Sequence, residues 1–412
     1  MRILTTYAFL LIGLLANAQN STSEKNIANE KPKTEEKKWY DKMRFSGYAQ
    51  FRYNRLLETN PDLKCEQCDK SWGDNNSFAF RRARLVYQGQ VHPRVFAYIQ
   101  FDYAGTINVK ADKSQNLHYL QVRDAYFDLG LDDKNEYRIR FGQSKVPYGF
   151  ENMQSSSNRL PFDRSDALNS AVPNERDFGA FFMWAPESVR KLQRDTLAAN
   201  GNKGMGDYGV FTIGLYNGQT ANKPELNDQL HAVAKLSYPF RWRNQIIEPG
   251  VMAYSGRYVM TDDALTTGVS YTNDKEYDDE RVAVGLMIQP RPIGLLAEYT
   301  IGRGPEYNSV LDSITTQKLT GGFATLSYRH QIKDQVIQPF IRAQYFDGGK
   351  KMEKDARSYK VNEWEAGIEW IPVRNFEMTA SYLSSHRQYA DRSTPDYNEK
   401  GHLVRIQLQF NY

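Results

Sequence analysis

Beyond its first eighteen residues this 412-residue chain has no apolar run approaching the roughly 20 residues that a membrane-spanning helix requires, and its mean hydropathy is −0.67. A helical membrane protein is therefore excluded. Two cysteines in the whole chain exclude a disulfide-dense secreted scaffold and a cysteine-rich metal ribbon. Six isolated histidines with no H-x-x-x-H spacing offer no metal site, and no Ser/His/Asp grouping stands out as catalytic machinery. Formal net charge is only +4, so neither a nucleic-acid partner nor any other polyanion is demanded. No fixed-period repeat is present. Gly204-Met-Gly-Asp-Tyr-Gly209 matches a phosphate-loop spacing, but it leads into a strand pattern instead of opening a helix, and nucleotide binding is set aside.

What is there begins with an export signal. Arg2, an apolar core from Tyr7 to Ala16, and Ala16-Asn17-Ala18 before Gln19 have the three parts of a secretory signal peptide, residues 1–18. Residues 19–40 are almost devoid of apolar side chains until Trp39 and read as a solvated, disordered periplasmic lead-in. The remainder, 41–412, is rich in aromatics, with 27 Tyr, 21 Phe and 6 Trp in the chain. A polar yet tyrosine-rich exported chain suits a membrane barrel, in which one residue in two is apolar and aromatics gather at both interfaces.

Periodicity carries that reading. At the C-terminus Val404, Ile406, Leu408, Phe410 and Tyr412 hold one parity, and Arg405, Gln407, Gln409 and Asn411 the other. Strict alternation is a strand with one apolar and one polar face. Near the start of the barrel, Met43, Phe45, Ala49, Phe51 and Tyr53 alternate with residues including Gln50 and Arg52. About sixteen such segments are expected: 42–57, 78–91, 94–104, 117–131, 135–146, 176–186, 206–217, 228–238, 246–258, 280–289, 293–302, 318–330, 335–346, 361–371, 375–386 and 401–412. Charges on the polar parity of so many strands cannot form a dry core. They can line water, which places the apolar parity against lipid and requires the antiparallel sheet to close. Sixteen strands leave an aqueous lumen. Connections alternate between short periplasmic turns and long outer loops, the latter at 58–77, 105–116, 147–175, 259–279, 303–317, 347–360 and 387–400. Two features resist the scheme: the sixth segment is apolar on both parities from Phe178 to Trp184, and 187–205 is too long for a periplasmic turn.

A diffusion channel has no catalytic step and needs no cofactor; its chemistry is pore radius and the sign of charge at the narrowest point. The third outer loop, 147–175, carries Leu160-Pro161-Phe162 and Ala171-Val172-Pro173, clusters suited to a loop folded into the lumen. Phe80-Arg81-Arg82-Ala83-Arg84 is a basic strand in which Arg82 and Arg84 share the lumen parity. Guanidinium groups there would attract anions, unless they are neutralised by lumen carboxylates such as Asp124 and Asp128. Cys65-Glu-Gln-Cys68 in the first outer loop reads as a local disulfide in an oxidising compartment.

The stretch from Arg138 to Glu151 with its F-G-Q-x-K-x-P core, Pro173-Asn-Glu-Arg-Asp-Phe-Gly179, the Arg81-Arg-Ala-Arg-Leu85 strand and Asp124-Ala-Tyr126 resemble the phosphate-selective porin O and P family. The resemblance spans about residues 40–412. It implies a sixteen-stranded outer-membrane barrel of a Gram-negative-type bacterium, typically a homotrimer in outer-membrane lipid, that passes phosphate or other small anions and is not an enzyme. It implies further that Arg81 and Arg82 form the arginine pair of the eyelet, with Asp124 facing it, Lys145 at the loop entrance, and Arg159 and Arg164 as loop arginines. This chain departs from the pattern in charge. Lys145, Arg159, Arg164 and Arg176 are matched by Glu151, Asp163, Asp166 and Glu175, and Glu298, Glu363, Glu365 and Glu369 lie on inward parities. A general porin of low selectivity is the near alternative; an adhesin or receptor acting through the outer loops and a barrel enzyme are the distant ones.

Overall fold

The computed structural model describes residues 38–66, 68, 78–105, 118–198, 201, 203–272 and 274–412. The leader and nearly all of the lead-in expected from the sequence lie outside the described residues. From Trp39 onward the chain forms one unit, opened by a 3₁₀ turn at Trp39–Lys42.

Strands are β1 Met43–Glu58, β2 Phe78–His92, β3 Val95–Gly105, β4 His118–Gly130, β5 Tyr137–Lys145, β6 Arg176–Trp184, β7 Phe211–Tyr216 and β8 His231–Ser237, the last continued by Phe240–Trp242. They are followed by β9 Gln245–Val259, β10 Glu276–Ile288, β11 Ile293–Asn308, β12 Ser313–Tyr328 (continued by His330–Ile332), β13 Gln335–Gly349, β14 Ser358–Val373, β15 Phe376–Ala390 and β16 Tyr397–Asn411. Each pairs antiparallel with its sequence neighbour, and β1 pairs with β16. The result is a closed sixteen-stranded barrel. Closure leaves no unpaired edge, the condition for a sheet to sit in lipid.

The barrel is inside out relative to a soluble protein. Val284, Ile301 and Ile341 are each more than half exposed on the outer surface, whereas Arg281, Arg342, Arg387 and Arg405 are buried in the interior. Alternation turns out to be broken at two places that matter. Opposite β1, Gln50 pairs with Arg82 but Phe51 pairs with Phe80, so the register skips Arg81. Between β3 and β4, Gln100 pairs with Asp124 but Phe101 pairs with Val122, skipping Arg123. Each is a bulge of one residue, which shifts the phase of the pleat. Arg81 joins Arg82, and Arg123 joins Asp124, on the lumen side.

Outer connections are shorter than the sequence suggested. The expected loops at 303–317, 347–360 and 387–400 are turns at 309–312, 350–357 and 391–396, and 259–279 contracts to 260–275. The missing residues extend the strands: Arg303 to Asn308 pair in register with Ser313 to Lys318. Above the lipid neither face need be apolar, so these extensions lack the alternation that marks the membrane-embedded parts. At the other end of the barrel, β7 starts at Phe211, not at residue 206, because the preceding residues are drawn into the barrel mouth. The long 185–210 connection carries a helix, Glu187–Lys191, continued by Leu192–Ala198. It also explains the sixth strand. The inward Phe181 and Met183 of β6 are covered by a cluster that includes Met153 of the third loop and Met205 of this connection.

Candidate functional site: a lumen divided by the third loop

Residues 146–175 fold into the barrel, as the apolar clusters of this loop suggested. Tyr148, Phe150, Met153, Leu168, Ala171 and Val172 pack against Met252, Tyr254, Ala283, Phe323 and Phe346 of the far wall. Phe150 needs two glycines there. A Cβ on Gly250 would stand 2.5 Å from its ring and one on Gly285 would stand 2.8 Å from it. The loop's first helical turn, Phe150–Met153, is held by Glu298 of β11, which accepts the Phe150 and Glu151 backbone N–H groups at 2.6 and 2.7 Å.

Each acid of the loop is engaged by cations. Arg342 of β13 pairs with Glu151 at 2.9 Å. Arg405 of β16 reaches Asp163 at 2.6 Å and Arg52 of β1 lies 3.8 Å from it. Burial alone would raise the Asp163 carboxyl, but these two guanidinium groups outweigh it and hold Asp163 far below the usual carboxylate range. Asp166 is gripped by Arg387 of β15 and Lys350, and is held down in the same way against its burial. Glu175 meets Arg164 and Arg176. Acids on the walls are likewise occupied: Glu363 by Arg387 at 2.7 Å, Glu369 by Lys203 at 2.5 Å.

Loop 350–357 packs over this half of the lumen. Asp355 accepts the backbone N–H groups of Thr266 and Arg392 at 2.6 and 3.3 Å. Arg357 bonds Asp391 at 2.6 Å and Glu66 at 2.8 Å, while Lys351 pairs with Asp279 of β10. The other half of the lumen lies along β1–β5.

That half holds the residues singled out from the sequence, in unequal roles. Arg84 is neutralised by Asp102 at 2.9 Å, not by Asp124 or Asp128. Asp124 pairs with Arg176 at 3.0 Å and Asp128 with Arg140 at 2.7 Å, so Asp124 braces the start of β6 instead of opposing the arginine pair. Lys145 donates to the carbonyls of Met153 and Gln154 at 2.9 and 2.6 Å, and Arg164 closes the loop base on Glu175. These two brace the loop. Arg52 donates to Gln407 at 2.8 Å and to the Phe162 carbonyl at 3.0 Å, with its guanidinium over the Phe162 ring. Arg81, turned inward by the bulge, stands in the field of Asp163 and Asp102. Arg82 and Arg159 differ from the rest. Both are more than nine-tenths buried, and among the described residues neither has a carboxylate within ion-pair distance; the Nε atoms of both and Nη1 of Arg159 have no hydrogen-bond partner. Cys65 and Cys68 form a disulfide, with sulfurs 2.09 Å apart, packed with Leu63 on Leu383 and Leu403, away from this constriction.

Asp102, Arg123, Lys203, Asp207 and Tyr208 belong to the lumen and were not singled out from the sequence. Arg123 had a readable signal: outward Val122 and Ala125 stand three residues apart, an odd spacing that alternation forbids without a bulge.

A wide, closed, lipid-facing barrel whose water-filled interior is narrowed by an inward loop is a porin, a diffusion channel of the outer membrane. Residues 62–412 match the family described as phosphate-selective porin O and P, and the chain belongs to that family. Among solved structures it is similar to the outer membrane channel DcaP of Acinetobacter baumannii, at 13% identity across 90% of this chain and 97% of that one, with a TM-score of 0.52. It is also similar to OmpF of Salmonella typhi, solved in complex with daunomycin, at 13% identity across 91% and 98% of the two chains, with a TM-score of 0.53. Likenesses at this identity show the fold. No curated protein matches the chain.

Proposed function

We propose that this porin is a passive channel for small anions, phosphate foremost, assembled as a homotrimer and exported with loss of residues 1–18. One observation carries the anion reading: Arg82 and Arg159 are buried guanidinium groups with no carboxylate at ion-pair distance among the described residues. Loop 3 as a whole is charge-balanced, but Glu151, Asp163 and Asp166 are spent on wall arginines, so formal balance does not make the passage neutral. A guanidinium without a protein partner offers a passing oxyanion both Coulomb attraction and forked hydrogen bonds. Asp102, Asp124 and Asp128 support the same reading by being paired already.

Planar-bilayer recording under a salt gradient tests it. The expected reversal potential is that of an anion-preferring channel, with the preference lost in Arg82→Glu and phosphate competing with chloride current. A cation-preferring wild type would overturn the anion assignment and leave a general porin of low selectivity as the reading.

A further inference from the structure

Residues 203–208 lie in the periplasmic mouth of the barrel, tied at their two ends to opposite walls. Lys203 donates to Glu369 of β14 at 2.5 Å and to Glu377 of β15 at 2.6 Å. Asp207 accepts both terminal nitrogens of Arg138 on β5, at 2.8 and 2.6 Å, and Nε of Arg190 at 3.1 Å. In a ring of sixteen strands β5 and β14 are nine places apart one way and seven the other, so the anchors are nearly diametrically opposed. Four residues reach at most about 14 Å; the long side chains of Lys203 and Arg138 supply the remaining width.

Between its anchors this strap touches the third loop from below. Gln154 donates to the Lys203 carbonyl at 3.2 Å and Asn158 to the Gly204 carbonyl at 3.1 Å. Tyr208 completes a stack along the wall: Tyr98 lies on Tyr126 with centroids 5.0 Å apart, and the Arg140 guanidinium carbon sits 4.0 Å from the Tyr126 ring centre and 5.2 Å from that of Tyr208. Cation–π contacts of this kind, away from bulk water, hold a segment in place. Beside the strap lie a cavity of about 420 Å³ against β2–β5 and one of about 70 Å³ against β10–β13. The larger is bordered by Arg138, Arg140, Lys145 and Arg176 as well as Asp124, Asp128 and Asp207.

We propose that residues 203–208 form a second selectivity barrier in series with the third loop, directing small oxyanions through the cavity against β2–β5 and excluding solutes too bulky for it. This rests on the channel reading above. Lys203 is its positioning residue, because it fixes the free end of the strap to the far wall.

The test uses the full-length protein, with single-channel recording for conductance and liposome swelling in neutral sugars of graded size for the exclusion limit. Lys203→Glu faces Glu369 and Glu377 and detaches the strap; Lys203→Glu combined with Glu369→Lys restores the pairing with the charges exchanged. Two comparable constrictions in series share the resistance, so Lys203→Glu is expected to raise conductance about two-fold and admit larger sugars. The exchanged pair returns both readouts to wild-type values. Neutral sugars do not respond to the altered field, so a change in their limit reports width. A conducting wild type with Lys203→Glu unchanged in both readouts, or changed but not restored by the exchange, overturns the barrier while leaving the channel reading intact. A silent wild type opened by Lys203→Glu supports it as a complete closure. Silence in both proteins overturns both readings.

Discussion

Glu298 of β11 and Phe150 of the third loop are joined by a carboxylate accepting a backbone N–H at 2.6 Å, and the second oxygen of the same carboxylate takes the next N–H, that of Glu151, at 2.7 Å. The wall thereby caps the loop's first helical turn, a role that helices ordinarily give to a local side chain. Glu298→Ala removes both acceptors and leaves two buried donors unpaired, a cost of about 1–3 kcal/mol each. The expected outcome is a loop that leaves its site intermittently: single-channel traces become noisier, with a higher mean conductance. Stable wild-type traces from Glu298→Ala would show that Phe150 packing alone holds the loop.

Gly285 tests the packing half of the same attachment. A methyl group there meets the Phe150 ring at 2.8 Å, inside van der Waals contact, and overpacking of this sort costs about 1–3 kcal/mol. Gly285→Ala should raise conductance by displacing the loop, and adding Phe150→Ala should bring it back down by restoring room. Proteolysis of the folded barrel gives an independent readout, since a displaced loop becomes cleavable.

Arg159 and Lys145 are both cations at the loop, yet their substitutions should differ. Lys145 spends its protons on two carbonyls, so Lys145→Ala is expected to loosen the loop base and increase protease sensitivity. Arg159 has no carboxylate partner among the described residues. Arg159→Ala should leave the loop folded and lower the anion-to-cation permeability ratio at least about five-fold, because about 1 kcal/mol at 4 Å is the Coulomb attraction in bulk water and a buried cation attracts an anion more strongly. Reversal potentials measured on both variants check the contrast.

Acid should release the strap at its Asp207 end. Burial works to raise this carboxyl, but Arg138, and after it Arg190, hold it down at about 2, below the ordinary aspartate value of about 3.9. A depressed carboxylate stabilises the folded arrangement fully above its unfolded pKa and loses that contribution as pH falls toward the folded value. Conductance is therefore expected to be flat from pH 7 to about 5 and to rise between about pH 4 and 2 when the periplasmic side is acidified. Asp207→Asn should show the raised conductance already at pH 7. A rise centred near neutrality would assign the effect to another group.

Fifteen of the sixteen strands were legible in the sequence because lipid on one side and water on the other impose a two-residue period; the sixth, apolar on both parities, did not show it. Where lipid ends, the period ends, and the outer extensions such as Arg303 to Asn308 were read as loop for that reason. The lumen arginines were legible as a set but not their partners. Arg84 could be placed inside by parity, yet its choice of Asp102 over Asp124 depends on strand register and the two bulges. Arg81 was assigned to the eyelet by resemblance; the parity of a regular strand would have pointed it at lipid, and the shortened step from Phe80 to Ala83 is what turns it inward. Lys203 and Asp207 were illegible because their partners are 166 and 69 residues away in the chain, on walls that only closure of the ring brings opposite one another.

Closure itself has a consequence for how the molecule comes into being. Tyr48 pairs with Asn411, so the first strand waits for nearly the last residue of the chain before its second edge is satisfied. Loop-closure entropy on that scale makes the pairing late and slow. Until it forms, β1 and β16 each present a row of unpaired amides and carbonyls that hydrocarbon does not tolerate. Insertion and completion of the ring are therefore one cooperative event, and a chain cut short within β16 would forfeit the whole wall and not merely one-sixteenth of it.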